Sequence, residues 1–292
     1  MKYYEKKFKS DFENLVFLKK DFVVKKSSST VQIHYAGEKE IYSDSRMSFN
    51  VIHRAKDLKK ELKNHLPKFE NDEKEVGYYL YGSVDFENKK IYNIDISSAY
   101  LTILRNTCLI SEQLFTKINL LPKTDRLKIL GMLAYQPFSF FYEKGKLEYS
   151  SQEKNEYRNV FFYCVRETFR IMKIIQKKIG KDFLFSWVDG VYFTGEYNIN
   201  LVSDILRSHK LKFTTERLLI FNAKKSDELA FYTYEKFSHK KKKFEQKNIC
   251  VPDNNFRRIQ KIAFDFNNAM EKKDNEKMLE ICNEYLEKRL IL

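Results

Sequence analysis

Two carboxylates stand in settings that suit phosphate chemistry. Asp95 follows the apolar run Ile91-Tyr-Asn-Ile94 and opens the segment Asp95-Ile-Ser-Ser-Ala-Tyr-Leu-Thr-Ile-Leu104. A run rich in Ile and Tyr predicts a buried strand, and Ser97 and Ser98 suit the start of a following helix, so Asp95 is delivered to a strand end. Asp189 lies in Phe183-Leu-Phe-Ser-Trp-Val-Asp-Gly-Val-Tyr-Phe193, where Asp-Gly between two apolar runs predicts a tight hairpin turn. Two strand-end carboxylates can clamp two Mg2+ ions, hard cations that take oxygen ligands and fill the rest of their shell with water or substrate phosphate. Mn2+ is an alternative occupant. Helix starts such as that at Ser97 and Ser98 also favour phosphate, although simple N-capping accounts for the serines equally well.

The surrounding elements read as a mixed α+β chain. The stretches 77–81 and 90–94 predict a hairpin that places Asp95 at its exit, and helices are expected over 51–66, 111–121 and 124–135. A long amphipathic helix follows over 156–179, with Val160, Phe161, Val165, Phe169, Met172 and Ile175 on one side, and Gly180 ends it. After the Asp189 hairpin come a helix over 200–209, strands over 211–221 and 228–237, and helices over 256–272 and 275–290. This order predicts an antiparallel sheet backed by helices on one face.

Composition narrows the partners. The net charge of +14 favours a polyanion, with a generally Lys-rich composition as the plain alternative. The run Lys236-Phe-Ser-His-Lys-Lys-Lys-Lys-Phe244 is either a solvated loop or a nucleic-acid contact through Lys236, Lys240, Lys241, Lys242 and Lys243. Four dispersed cysteines form no Cys-x-x-Cys pair, which argues against a zinc site or a disulfide framework. Neither a Walker-type loop nor a Gly-x-Gly-x-x-Gly pattern occurs, and the five scattered histidines suggest no nucleophile motif. No stretch has signal-peptide or membrane-span character, so a soluble, cytoplasmic protein without membrane contact is expected.

The Asp95 segment resembles the first palm motif of family B DNA polymerases, Asp-x-x-Ser-Leu-Tyr-Pro-Ser-Ile, matching at Asp95, Ser98, Tyr100 and Ile103. Asp189-Gly-Val-Tyr is similar to the end of that family's Tyr-Gly-Asp-Thr-Asp-Ser hairpin. Between them, Lys128-Ile-Leu-Gly-Met-Leu-Ala-Tyr135 keeps the Lys-to-Tyr spacing of the family's Lys-x-x-x-Asn-Ser-x-Tyr-Gly helix. The chain departs from these patterns at Leu101, Met132, Gln136 and Trp187, the last standing where the family has the first hairpin Asp.

The resemblance implies a template-directed DNA polymerase that transfers a nucleotidyl group from a dNTP to a primer 3′-hydroxyl, with two Mg2+ ions as cofactors. Its fold would be an α+β polymerase-like palm over 76–237 with short helical fingers inserted at about 105–135. Residues 1–75 carry no assignable role, and 238–292 would be a basic segment with a small helical thumb. Asp95 and Asp189 would be catalytic and would bind metal with the backbone of Ile96. Ser97, Ser98, Tyr100, Arg126, Lys128 and Tyr135 would bind nucleotide, with Tyr100 under the sugar, Arg126 and Lys128 on the phosphates and Tyr135 beside the nascent pair. Gly131, unfavourable within a helix, would let a base pair or another backbone approach closely. Implied partners are DNA primer-template, dNTPs and a priming protein or other replication factors. Two alternatives remain open: a primase-like or template-independent nucleotidyltransferase, and a catalytically degenerate polymerase fold that only binds nucleic acid.

Overall fold

The computed structural model describes residues 3–27, 30–43, 48–69, 77–82, 90–218, 221–225, 229–238, 242–252 and 257–290. In chain order its elements are α1 (Tyr3–Phe17), β1 (Phe22–Lys26), β2 (Thr30–Tyr35), β3 (Glu38–Ser43), α2 (Phe49–Leu62), β4 (Tyr79–Tyr81), β5 (Ile91–Ile96) and α3 (Ala99–Asn106). Next come α4 (Glu112–Asn119), α5 (Lys123–Ala134), β6 (Phe138–Glu143), β7 (Lys146–Gln152), α6 (Arg158–Ile179), β8 (Phe183–Trp187), β9 (Gly190–Thr194) and α7 (Asn198–Ser208). The chain continues through β10 (Phe213–Leu218), β11 (Phe221–Lys225), β12 (Leu229–Ser238), β13 (Lys243–Pro252), α8 (Arg257–Lys272) and α9 (Asn275–Leu290). The class is α+β, with every strand pairing antiparallel. No helix among the described residues is long and apolar enough to cross a membrane.

The chain divides into two compact units, Met1–Glu73 with Leu104–Tyr163, and Lys74–Ile103 with Cys164–Leu292. The division passes through α3 and α6. In the first unit a five-stranded sheet has the order β3-β2-β1-β6-β7. The two-residue period puts Phe22, Val24, Ile33, Tyr42, Phe140 and Tyr142 on one face, where Phe8, Phe12, Leu15 and Val16 of α1 pack against them. Helix α4 starts on Ser111, whose hydroxyl accepts from the Leu114 amide. Asn155 closes the other end of the helical pair, since its side-chain amide donates to the Leu133 and Tyr135 carbonyls that end α5 leaves unpaired.

The second unit holds a sheet of order β10-β5-β9-β8-β4 and a smaller one of order β11-β12-β13. One face of the larger sheet carries Leu80, Ile94, Ile96, Val191 and Phe193 against Ile171, Met172 and Ile175 of α6 and Val202 and Leu206 of α7. Its other face carries Tyr79, Tyr81, Phe185 and Tyr192 against Tyr232 and Tyr234 of β12, Ile249 and Val251 of β13, and Ala263 of α8. Phe185 stacks on both Tyr192 and Tyr232, at ring-centroid distances of 4.2 and 4.3 Å.

Several sequence expectations change. β4 and β5 do not form a hairpin: β4 pairs with β8, while β5 lies between β9 and β10. The helix expected over 51–66 is α2 followed by a 3-10 segment, Lys63–Phe69, that contains Pro67. A hairpin, β6–β7, intervenes between α5 and α6, and its β7 strand is exposed at every residue, so no buried face marks it in the sequence. Lys243–Pro252, for which the sequence suggested no element, is a strand paired with β12 over its full length, because Ile249, Cys250 and Val251 anchor its second half in the core.

Candidate functional site

The end of the larger second-unit sheet gathers the first and last motifs. One cross-strand row runs Thr214, Asp95, Gly190, Trp187 and Tyr79, and the next row on the same face runs Glu216, Asn93, Tyr192, Phe185 and Tyr81. β8 and β9 are joined by a two-residue turn of Val188 and Asp189, so Gly190 lies one place beyond the turn expected at Asp-Gly. Register explains the shift. A slip of one residue would turn Phe185 and Tyr192 away from the core face they share. The left-handed conformation falls on Val188, at φ 53°, and its N–H donates to the Tyr78 carbonyl at 2.7 Å. Asp189 is tied to the strand that bears Asp95, since its carbonyl accepts from the Ile96 N–H at 2.9 Å.

Oxygen atoms converge at this place. A Cβ on Gly190 would lie 3.4 Å from Asp95 Oδ1, 3.6 Å from Asn93 Oδ1 and 3.6 Å from the Trp187 carbonyl oxygen, so the absence of a side chain leaves a cradle lined by three oxygens. Asn93 is buried, and its Oδ1 has no hydrogen-bond partner among the described residues. A carboxylate, an amide oxygen and a carbonyl are hard donors of the kind that a divalent cation such as Mg2+ takes, and Asp189 lies in the turn just before Gly190. Among the described residues there is no cluster of three or more His, Cys, Asp or Glu ligands. Any ion held here would have no more than two carboxylates from the described residues, with neutral oxygens and solvent or substrate completing its shell.

Aromatic side chains, two of them phenols, surround the pair. Tyr192 donates to or accepts from Tyr234 across 3.2 Å in the core. Burial, then Tyr234, and then the charges of Asp95 and Glu216 raise the Tyr192 phenol well above its ordinary pKa. Tyr100 is raised likewise, by burial first and by Asp189 second, so its phenol is protonated and within the electrostatic reach of Asp189. Tyr100 also packs against the cluster between the sheet and α6. Asn93 and Glu216 were missed by motif reasoning. The two-residue period of β5 was the signal for Asn93, whereas Glu216 required knowing that β10 pairs with β5.

No protein-family model and no curated protein matches the sequence. The remaining expected site residues divide as follows. Ile96 and Ser97 continue from Asp95, but the Ser97 N–H donates to the Lys212 carbonyl at 2.8 Å and is not free for phosphate. Ser98 adopts φ 54°, and its carbonyl accepts from Thr102 N–H, which starts α3. Arg126, Lys128 and Tyr135 belong to the first unit. Arg126 donates to the Asn119 carbonyl at 2.8 Å, Lys128 lies 3.4 Å from Asp125, and Tyr135 donates to the Lys26 carbonyl at 3.3 Å. A Cβ on Gly131 would meet nothing within 4 Å, so no described backbone or side chain requires glycine there. Lys236 forms an ion pair with Glu216 at 2.7 Å. Lys242 and Lys243 are exposed at the β12–β13 turn, while Lys240 and Lys241 lie outside the described residues.

Proposed function

We propose that the chain is a template-directed DNA polymerase, extending a primer 3′-hydroxyl with dNTPs in a palm-like second unit. The observation that carries this reading is the ladder register: Asp95 pairs with Gly190, and the next residue, Ile96, hydrogen-bonds to Asp189. Two carboxylates 94 positions apart in sequence thereby share one sheet end, against the oxygen-lined cradle at Gly190. The charge of +14 agrees with a polyanionic substrate.

Asp95 and Asp189 would hold the divalent cations, with Asn93 Oδ1 and the Trp187 carbonyl as further oxygens nearby. Bound there, the ions would neutralise charge on the attacking and leaving oxygens of an in-line nucleotidyl transfer. The chain's own part is positioning. The strands hold Asp95 rigidly, and the Val188–Asp189 turn fixes the second carboxylate. Tyr100, neutral and half-buried between the core and Asp189, offers a flat surface on which a deoxyribose can rest.

Trp187 favours a second reading, a nucleic-acid-binding fold without catalysis, because a core-packed indole stands on the ladder row beside Asp95 and Gly190. Primer extension on a DNA template with Mg2+, run with deoxy- and ribonucleotides, separates the two. Template-dependent incorporation of dNTPs is expected, and binding without any incorporation would establish the second reading.

A further inference from the structure

We propose that the open face of the first unit's five-stranded sheet binds single-stranded nucleic acid, stacking unpaired bases on Tyr149 and Phe141 and holding the phosphate backbone with Lys25 and Lys39. The inference is independent of the polymerase reading, because it rests on a different sheet and requires no catalysis.

Helix α1 covers one face of this sheet, and the residues of the opposite face are absent from the cluster beneath it. On that opposite face one row crosses all five strands in register: Lys39, His34, Val23, Phe141 and Tyr149. Lys25, itself exposed, stands on the same face one row along, opposite the partly buried Gln32 and the buried Ser139, so this end of the face is the less open one. The row spans four strand spacings, roughly 19 Å. Cations occupy one part of the face and aromatic rings the other.

The aromatic part has the geometry of a stacking platform. Tyr149 and Phe141 lie parallel, with ring centroids 4.3 Å apart and planes inclined by 13°. Tyr149 is 58% exposed on β7, the edge strand, and no further strand follows its outer ring face among the described residues. A large exposed aromatic on an edge strand costs solvation without adding to a core. Extending its stack with a base turns that exposure into binding, and every base has a face that suits it.

The cationic part complements a phosphate chain. Neither Lys25 nor Lys39 forms an ion pair among the described residues. Burial, then the charge of Lys25, and then that of Lys39 hold the His34 imidazole below its ordinary pKa, so the two lysines act on one locality. Glu38 and Glu40 alternate onto the α1 side of β3, and Glu153 reaches the margin of the open face at Ser139, 3.4 Å away. Glu143 shares the open face with Phe141 and stands opposite Lys146, so the cationic part of the face is the stretch around Lys25, His34 and Lys39. A single strand with unpaired bases satisfies both halves of the face, whereas a duplex offers phosphates but no free base.

The test is equilibrium binding of a fluorescein-labelled oligo(dT) and of a duplex of equal length to the full chain, read by anisotropy over a salt series. Tyr149→Ala should weaken oligo(dT) binding by roughly 5- to 150-fold, the range for one base stack removed, and leave duplex binding within twofold. Tyr149→Phe should restore the wild-type affinity. Replacing Lys25 and Lys39 by Ala should lower the slope of log K against log salt by about 0.7 for each lysine on single strands. The proposal is overturned if wild-type protein does not bind oligo(dT), if Tyr149→Ala binds it within twofold of wild type, or if duplex binding falls equally. Thermal melting should show Tyr149→Ala folded, since the ring is exposed and outside the core.

Discussion

At the scale of single residues, the turn between β8 and β9 concentrates the tension between folding and chemistry. Val188 holds a left-handed backbone that costs a β-branched residue about 1 to 2 kcal/mol, and it does so beside Asp189, the carboxylate proposed to bind metal. Val188→Gly removes that cost, offset by roughly 0.5 to 1 kcal/mol of added freedom in the unfolded chain. Urea unfolding should therefore move by no more than about 1.5 kcal/mol, while primer extension should fall as Asp189 loses its fixed turn. Unchanged extension would show that the strained turn has no part in positioning Asp189. Tyr100 offers a second residue-scale test. If it rests under the deoxyribose, Tyr100→Ala should raise ribonucleotide incorporation relative to deoxynucleotide. A purely structural ring would lower both together, since truncating a buried aromatic costs about 3 to 5 kcal/mol of stability.

Among the elements, α8 shows how a partner far along the chain completes a strand. Asn267 is buried, and its side-chain amide both accepts from the Cys250 N–H and donates to the Cys250 carbonyl, each at 2.7 Å, as a neighbouring strand would. It also donates to the Tyr79 hydroxyl of β4 at 3.1 Å. Asn267→Ala leaves two buried backbone groups orphaned, so stability should drop by about 2 to 4 kcal/mol in urea unfolding. A loss below about 1 kcal/mol would mean water replaces the amide. Such contacts explain what could be read in advance. The 3.6-residue stripe of α6 and the apolar runs of β5, β8 and β9 are local patterns, and the sequence displayed them. The pairing of β4 with β8 is not local, and proximity in sequence pointed instead to a β4–β5 hairpin. Lys-rich flanks concealed β13, and β7 has no buried face to produce alternation. Asp95 and Asp189 were legible from their flanking runs. Asn93 was readable from the two-residue period that puts it on the face of Asp95, whereas Glu216 was not, because it joins the site through register alone.

At the scale of the whole molecule, the proposed nucleic-acid contacts fall in both units of a chain whose net charge is +14, and they are tested through salt dependence. Replacing Lys240, Lys241, Lys242 and Lys243 together by Ala should flatten the salt dependence of duplex DNA binding by about 0.9 for each phosphate that is no longer neutralised. An unaltered slope would assign the run to solvent. The central claim, that Asp95 and Asp189 act as one metal-binding pair, is tested most directly by steady-state primer extension at saturating Mg2+ with Asp95→Asn and Asp189→Asn. Each substitution preserves side-chain shape and removes one negative charge. Both variants should melt close to wild type, bind primer-template with nearly unchanged affinity and extend it at less than a few percent of the wild-type rate. Extension above that level by either folded variant would contradict the assignment.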